Sequence, residues 1–365
     1  MVQVPLKDYS YANARVRAMT GRLLEQRVYK DLLDTPDYNR AIGVLEETGY
    51  GEDIEHFMLE GARPTTLDRA FNRNLVRNFA KIKDFFEGRP EEMVNALLAR
   101  WDLYNLKTVL RGMRALIPKA EISRNLVPVG ALDLTVLEEI INQPDLRASL
   151  DAIVMFSLQW WIPYGQAITA HLMEYLREHE LSILEMALDK FHYEKIGELL
   201  KGGDANTAMV REVVRMEVDS INITTLMRLC GLELQEAKAG DFFVPGGSIA
   251  SAGEFAKIME LGQPEEVYEA LLRKTPYRKV LEKAWKVFDE RGESAFEDEI
   301  EKHIIGTCLK MSKDPLGIGV IIKYMWKKYL EIINLRIIIR GKSIGLIESQ
   351  IRKELFVLDG ESREK

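Results

Sequence analysis

The side chains that most often carry out chemistry are scattered along this sequence without an active-site spacing. Cys230 and Cys308 form no CxxC pair, and the histidines show no HExxH or other ligand spacing. The glycine-rich stretch 245–253 lacks the Gly-Lys-Ser/Thr ending of a phosphate loop and is predicted to be a turn. The sequence therefore predicts no catalytic, cofactor-binding or metal-binding residue. The histidines in question are His56, His171, His179, His192 and His303.

Acidic pairs are the remaining candidates for acid/base work, and their context favours a structural interpretation. Glu91-Glu92 follows Pro90, and Glu265-Glu266 follows Pro264. Proline followed by acids is typical of the first turn of a helix, where negative charge complements the helix dipole. These pairs are predicted to mark helix starts.

Composition and charge favour some classes of protein over others. The 365 residues are 47% hydrophobic and 29% charged, which suits a globular protein with more than one core. A formal net charge of −7 argues against a nucleic-acid binder, because phosphate contacts need a surplus of Lys and Arg. Two unpaired cysteines and a polar, charged first 30 residues indicate a cytoplasmic protein with reduced thiols.

Residues 152–173 carry no Asp, Glu, Lys or Arg and are the one candidate membrane span. Polar side chains are spread through the stretch, Pro163 and Gly165 interrupt its middle, and Asp151 and Glu174 flank it. Because a span needs an unbroken apolar run with basic anchors, we expect buried helices here and no direct membrane insertion.

An internal repeat is the most informative feature. Each copy has an acid, an Asn three residues later and an Arg six residues after the Asn. The Asn positions are 117 and 112 residues apart, so three units account for the whole chain, with predicted boundaries 1–126, 127–243 and 244–365. The motif residues are Asp102, Asn105, Arg111, Asp219, Asn222, Arg228, Glu331, Asn334 and Arg340.

Helical winding of the motif indicates what it does. At about 100° per residue, the acid falls inside an apolar stripe, the Asn lies at its margin and the Arg lies on the far side. A carboxylate and an amide in a packed seam must be hydrogen-bonded, or each costs about 1–3 kcal/mol. We therefore expect them to dock neighbouring helices, with backbone donors at helix ends or Arg and Lys from another helix as partners.

Two further markers recur around the motif. Val-Pro128-Val-Gly130 and Val-Pro245-Gly-Gly247 follow the first two arginines at the same interval, and 355–360 is an echo without the proline. The second marker precedes a short amphipathic stretch and occurs as Thr35-Pro36, Gln143-Pro144 and Thr275-Pro276. Their agreement supports three helical repeats, because periodicity is helical throughout.

The opening Tyr9-Ser-Tyr-Ala-Asn-Ala-Arg-Val-Arg-Ala-Met19, the tripled motif helices and the closing Arg340-Gly-Lys342 resemble the C subunit of archaeal A-type (V/A-type) ATP synthases, which is related to the d subunit of the vacuolar ATPase. The resemblance covers the whole chain. It implies an all-α fold of three similar helical repeats, arranged as a funnel around a pseudo-threefold axis. One departure is Thr224, where the other repeats have Lys107 and Arg336.

The resemblance also implies a function. Members of this family are non-catalytic connectors in the central stalk, which link the D and F subunits of the shaft to the proteolipid ring of the membrane rotor and transmit torque for proton- or sodium-coupled ATP synthesis. It implies a peripheral protein on the cytoplasmic face of the membrane, without a cofactor. The alternative is a helical-repeat scaffold that binds other partners on a concave face, although such solenoids usually repeat every 20–45 residues.

Overall fold

The computed structural model describes residues 9–59, 61, 63–231 and 239–356. Within these residues every regular element is a helix and no β-strand occurs. This confirms the prediction of an all-α protein.

Long and short helices follow one another along the chain. Up to residue 199 the α-helices are α1 (Ser10–Thr20), α2 (Gln26–Asp34), α3 (Tyr38–Glu46), α4 (Gly51–Met58), α5 (Pro64–Lys83), α6 (Arg89–Arg114), α7 (Lys119–Arg124), α8 (Leu134–Ile141), α9 (Leu146–Phe156), α10 (Gly165–Glu178) and α11 (Leu181–Leu199). After residue 199 they are α12 (Ala205–Leu229), α13 (Ala252–Met259), α14 (Pro264–Lys274), α15 (Arg278–Trp285), α16 (Phe288–Arg291), α17 (Ser294–Cys308), α18 (Gly319–Ser343) and α19 (Glu348–Glu354).

Local sequence sets several of the helix starts. The Asp145 and Asp204 side chains cap α9 and α12 by accepting a hydrogen bond from the backbone N–H three residues on, at 2.8 and 2.9 Å. Pro264 is the first residue of α14, and Glu265 and Glu266 lie in its first turn. The prediction that this acidic pair marks a helix start is confirmed.

The uncharged stretch 152–173 is divided between two helices. Helix α9 ends at Phe156, the 3₁₀ turn Ser157–Gln159 follows, and α10 begins at Gly165. The break lies where Pro163 and Gly165 predicted it. In the part of the chain that the structure describes, no helix is both long and apolar enough to cross a bilayer.

The chain divides into two compact units. As far as these ranges are described, unit 1 takes Met1–Val94, Arg124–Val129 and Ile305–Lys365, and unit 2 takes Asn95–Ser123 and Gly130–Ile304. The sequence period predicts boundaries at other places, and those three repeat boundaries stay a prediction.

Unit 1 is built around α18, which packs against α1, α3 and α5. Helix α18 is apolar on most of its circumference, as expected of a helix surrounded by others. Leu335, Ile338 and Ile339, which the winding places in the apolar stripe, are at most 1% exposed. Helix α2 in turn packs against α3 and α19.

Unit 2 is built around α12, which packs against α11, α13 and α14, while α10 packs against α9 and α11. The predicted stripe residues Ile223 and Leu226 are fully buried, and Met227 is nearly so. The motif helices α6, α12 and α18 therefore place their apolar stripes in packed interiors.

Candidate functional site

The three motif acids are buried. Asp102 on α6, Asp219 on α12 and Glu331 on α18 are 1%, 0% and 4% exposed. A buried carboxylate without hydrogen bonds would destabilise the fold, so each acid must have partners. Those partners define three junctions, named here after the acid at their centre.

At the Asp219 junction the carboxylate accepts three hydrogen bonds. The backbone N–H and the hydroxyl of Ser248 both donate to it, the hydroxyl at 2.7 Å, and the Tyr277 hydroxyl donates at 2.6 Å. Burial raises the pKa of Tyr277, and the negative charge of Asp219 raises it further. Tyr277 therefore stays protonated and serves as a hydrogen-bond donor.

The Asp102 junction uses the same kind of loop. Asp102 accepts hydrogen bonds from the backbone N–H groups of Ala131 and Leu132 at 2.8 and 3.0 Å. Ala131 follows Asp102 by 29 residues, as Ser248 follows Asp219. These donors lie just before a helix, as predicted for backbone partners.

The glycines of the Val-Pro marker make this approach possible. A Cβ atom on Gly130 would overlap the carboxylate of Asp102, and one on Gly247 would overlap that of Asp219. The marker therefore brings the loop backbone against the acid. Most of the stretch 245–253 is a turn, as predicted, and its last two residues begin α13, which Ser251 caps.

The Glu331 junction recruits its partners from a distant part of the chain. Glu331 accepts hydrogen bonds from the Leu24 N–H and the Tyr50 hydroxyl, both at 2.6 Å, across sequence separations of 307 and 281 residues. Lys328, one turn earlier on α18, donates to Glu331 at 2.7 Å and to the Tyr50 hydroxyl at 2.8 Å. This lysine belongs to the same helix as the acid, whereas the sequence predicted one from another helix.

Lys328 is a buried cation, since it is 4% exposed. Burial lowers its pKa, and the negative charge of Glu331 acts in the opposite direction. Burial also raises the pKa of Tyr50, and Glu331 adds to that shift. The Glu331 junction therefore combines a buried ion pair with a tyrosine hydroxyl that bonds to both charges.

The motif asparagines hold the entry of the loop. Asn222 exchanges two hydrogen bonds with the backbone of Val244, at 2.8 and 2.9 Å. Asn334 exchanges two with the backbone of Phe356, at 3.3 and 2.9 Å, and both pairs are separated by 22 residues. Asn105 is likewise fully buried. Beyond Phe356, the third echo of the Val-Pro marker lies outside the described residues.

The motif arginines lie on the far side, as the winding predicts, and each pairs with an acid. Arg111 forms two hydrogen bonds with Glu185, Arg228 lies 3.4 Å from Glu293, and Arg340 lies 2.8 Å from Asp68. The hydrogen bonds that Arg111 donates to Glu185 raise the pKa of Arg111. Because these arginines are more than half exposed, each pair adds little to stability.

The departure at Thr224 has a structural counterpart. Lys107 contacts both carboxylate oxygens of Asp189 at 2.6 Å, and Arg336 lies 3.3 Å from Asp68. Thr224 is buried, and its hydroxyl oxygen has no hydrogen-bond partner. The second motif helix therefore lacks the cross-helix ion pair that the other two make at this position.

The third copy of the second marker, Thr275-Pro276, does not lie at the position equivalent to the first two copies. Pro36 lies between α2 and α3, and Pro144 lies between α8 and α9. Pro276 lies one connection further on, between α14 and α15, and Pro264 begins α14 in the place that corresponds to Pro144. The equivalent dipeptide in the third copy is Gln263-Pro264, which is identical to Gln143-Pro144. A search for the same dipeptide before each predicted helix would have found it.

Sequence reasoning missed the tyrosines. Tyr50, Tyr164 and Tyr277 each precede the first residue of a helix, namely α4, α10 and α15. Tyr50 and Tyr277 donate to a motif acid, whereas Tyr164 bonds to His192 Nδ1 at 2.7 Å. A tyrosine at a helix start has no distinctive sequence signal, although a search for residues shared by the repeats would have raised these three.

The polar groups of the junctions are engaged in docking helices. Burial lowers the pKa of His192 to about 3, so this histidine is a neutral partner of Tyr164. The described residues contain no group of three or more His, Cys, Asp or Glu side chains that could hold a metal ion. The hydrogen bonds of the junctions hold loops and helices against the three motif helices.

Known proteins similar to this chain match it over nearly its whole length. The A-type ATP synthase C subunit of Methanococcoides burtonii is 28% identical over 358 residues, which cover 96% of this chain and 94% of that protein. The V-type ATP synthase C subunit of Deinococcus radiodurans is 27% identical, with 95% and 91% covered. The A-type ATP synthase C subunit of Halorubrum lacusprofundi is 28% identical, with 98% and 100% covered.

The family model described as ATP synthase (C/AC39) subunit matches residues 12–354, which include all nine motif residues and all three junctions. Because this match extends over nearly the whole chain and not over one repeat, the chain belongs to the ATP synthase (C/AC39) subunit family.

Proposed function

We propose that the chain is the central-stalk connector of an A-type (V/A-type) ATP synthase. In this role it links the D and F subunits of the shaft to the proteolipid ring of the membrane rotor and transmits torque between them. It lies on the cytoplasmic face of the membrane as a peripheral protein. Membership in the family makes it a structural, non-catalytic part of a multi-subunit ATP synthase.

The observation that carries the proposal is the full-length family match together with the three buried junctions. A part that transmits torque must resist deformation, and fully hydrogen-bonded buried carboxylates fix the docking of helices. Three such junctions, one on each motif helix, support three similar helical units. We propose that these units form a funnel around a pseudo-threefold axis, with its mouth toward the shaft and its narrow end toward the ring.

Co-purification from membranes tests the proposal. The full chain is tagged in its own host, membranes are extracted in mild detergent, and the captured proteins are identified by mass spectrometry. We expect the D and F subunits and a small proteolipid, with ATPase activity in the captured complex and none in the separately purified chain. An extract from cells with the untagged chain is the control for proteins that bind the resin.

Recovery of soluble partners alone would contradict the connector role and favour the helical-repeat scaffold. A second measurement separates the two in intact cells, because the connector is expected in the membrane fraction until salt or a chelator releases it. A scaffold of soluble proteins would be in the supernatant before that wash.

A further inference from the structure

The Glu331 junction joins two stretches that are remote in the chain. After α12 the chain contains, in this order, the loop amide of Ser248, then α13 and α14, then the start of α15 with Tyr277. Helix α18 receives the same two kinds of donor from residues that come before it: a loop amide at Leu24, then α2 and α3, then the start of α4 with Tyr50. The order of these donors and helices is the same.

The next helix extends the correspondence. Arg228 of α12 pairs with Glu293, directly before α17, and Arg340 of α18 pairs with Asp68 in the first turns of α5. Helices α2, α3, α4 and α5 therefore stand to α18 as α13, α14, α15 and α17 stand to α12, and the four-residue helix α16 is an addition in the second group. The helical group led by α18 is completed by residues that precede it, without a direct chain connection.

Further contacts hold the segment 9–83, which contains α1 to α5, against α18 and the loop before it. Asn13 on α1 donates to the backbone oxygens of Pro315 and Gly317 at 3.1 and 3.0 Å. Lys342 on α18 donates to the backbone oxygens of Leu33 and Thr35 at the end of α2, the first at 2.6 Å. The segment is thus held at both its beginning and its middle.

Lys328 distinguishes α18 from the other motif helices. Three residues before the acid, α6 has Ala99 and α12 has Met216, and both are buried apolar side chains. Lys328 instead bonds to Glu331 of α18 and to Tyr50 of the segment. During synthesis the segment is made before the three motif helices α6, α12 and α18, and each of them has a buried acid that could accept its hydrogen bonds. Because only α18 has a lysine at this position, Lys328 makes binding of the segment to α18 specific.

We propose that the described residues of 9–83 form a clasp that closes on α18 without a direct chain connection to it, opens as one piece below the global unfolding transition, and is locked in place by Lys328 and Lys342. This inference concerns the isolated chain and does not depend on the proposed function. Proteins open locally in roughly contiguous cooperative units that often coincide with groups of neighbouring helices, and this segment is such a group.

The matched control is Lys119. It donates to the backbone oxygens of Asn142 and Gln143 at the end of α8, at 3.0 and 2.9 Å, as Lys342 does at the end of α2. Lys119 lies on α7, and the helix that it holds, α8, is the next helix in the chain. Substitution of either lysine therefore removes the same kind of bond, but only Lys342 fastens a segment held without a direct link.

Hydrogen exchange of the full-length chain, read peptide by peptide by mass spectrometry, tests the clasp. Lys328→Met and Lys342→Met are expected to accelerate exchange of amides throughout 24–59 by a common factor. Because a charged hydrogen bond is lost, we expect about tenfold or more in Lys328→Met. Peptides covering 248–277 should keep their rate in both variants.

Lys119→Met is expected to accelerate only amides near 134–149 and to leave 24–59 unchanged. Acceleration in Lys342→Met that is confined to the end of α2 would overturn the clasp, and so would an equal change at 248–277. Lys342 is only half-buried, so Lys342→Met folds even if Lys328→Met does not, and the test remains decisive.

Discussion

The Asp219 and Glu331 junctions have the same tyrosine bond, at 2.6 Å, but differ in chain connection and in charge. Ser248 reaches Asp219 from 29 residues away, whereas Leu24 reaches Glu331 across 307. The Asp219 carboxylate receives hydrogen bonds from neutral groups, and the Glu331 carboxylate also receives one from a buried ammonium group. A short connection keeps the loop near its acid, so neutral donors suffice there, while a remote segment gains more from a charged lock.

Neutralising the two acids should separate the junctions most strongly. Glu331→Gln leaves the Lys328 ammonium buried against a neutral amide, and we expect it to lower the free energy of unfolding by about 3–5 kcal/mol. Asp219→Asn leaves a hydrogen-bond mismatch without a stranded cation, and we expect a loss of about 1–3 kcal/mol. Guanidinium titrations of the full chain at pH 7 measure both.

The double variant Lys328→Met/Glu331→Gln is the control for that explanation. Removing the stranded cation should restore at least half of the stability that Glu331→Gln loses. Equal losses for Glu331→Gln and Asp219→Asn, or a double variant no better than Glu331→Gln, would show that charge is not what distinguishes the junctions.

The close contact between the Gly247 loop and Asp219 is the next feature to test. Gly247 leaves no room for a Cβ atom beside Asp219, so Gly247→Ala must displace the loop or the acid. We expect a loss of about 2–3 kcal/mol, of the size produced by overpacking a core. Gly253→Ala is the matched control, because that helical site is open, and a gain of up to about 1 kcal/mol is expected. Similar stabilities of the two alanine variants would contradict the contact.

The sequence predicted the features that lie within a motif helix or in the loop that follows it. The burial of the acids and the outward position of the arginines follow from helical winding, and the Val-Pro-x-Gly marker identified the loop at the first two acids. The Glu331 partners were not found in this way, because Leu24 and Tyr50 lie about 300 residues before their acid, whereas the Val-Pro-x-Gly marker follows its acid. Lys328 interrupts an apolar stripe, and nothing in one sequence tells whether such a lysine is buried or exposed.

A smaller difference sets the first helical group apart from the others. The acids that pair with Arg111 and Arg340 are Glu185 and Asp68, so they occupy equivalent positions. Seven residues after each acid, the first helical group has His192 and the third has Leu75, and both side chains are buried. Burial lowers the pKa of His192 to about 3, whereas an unfolded histidine titrates near 6.5. The unfolded chain therefore binds more protons between these values, and stability present above pH 6.5 is lost as the pH falls toward 3.

We expect this histidine to account for a loss of roughly 2 kcal/mol between pH 7 and pH 5. Unfolding titrations at both pH values are compared for the natural chain and for the double variant His192→Leu/Tyr164→Phe, in which neither partner of the hydrogen bond remains. The double variant should lose about 2 kcal/mol less on acidification. An identical loss in both chains would mean that His192 is already charged in the folded state or is not shielded from water.

The ends of the motif helices give the smallest expected effect. Helix α6 is followed by Leu116 at φ 55°, and α18 by Gly345 at φ 76°, with the same closing hydrogen bond from the next residue at 2.9 Å. A left-handed conformation is unfavourable for a residue with a Cβ atom, and Leu116, at 89% exposed, gains little from packing. Leu116→Gly should therefore raise the free energy of unfolding by about 0.5–1 kcal/mol, and Gly345→Leu should lower it by about as much. If Leu116→Gly instead destabilises the chain, the exposed leucine makes a contact that outweighs its backbone strain.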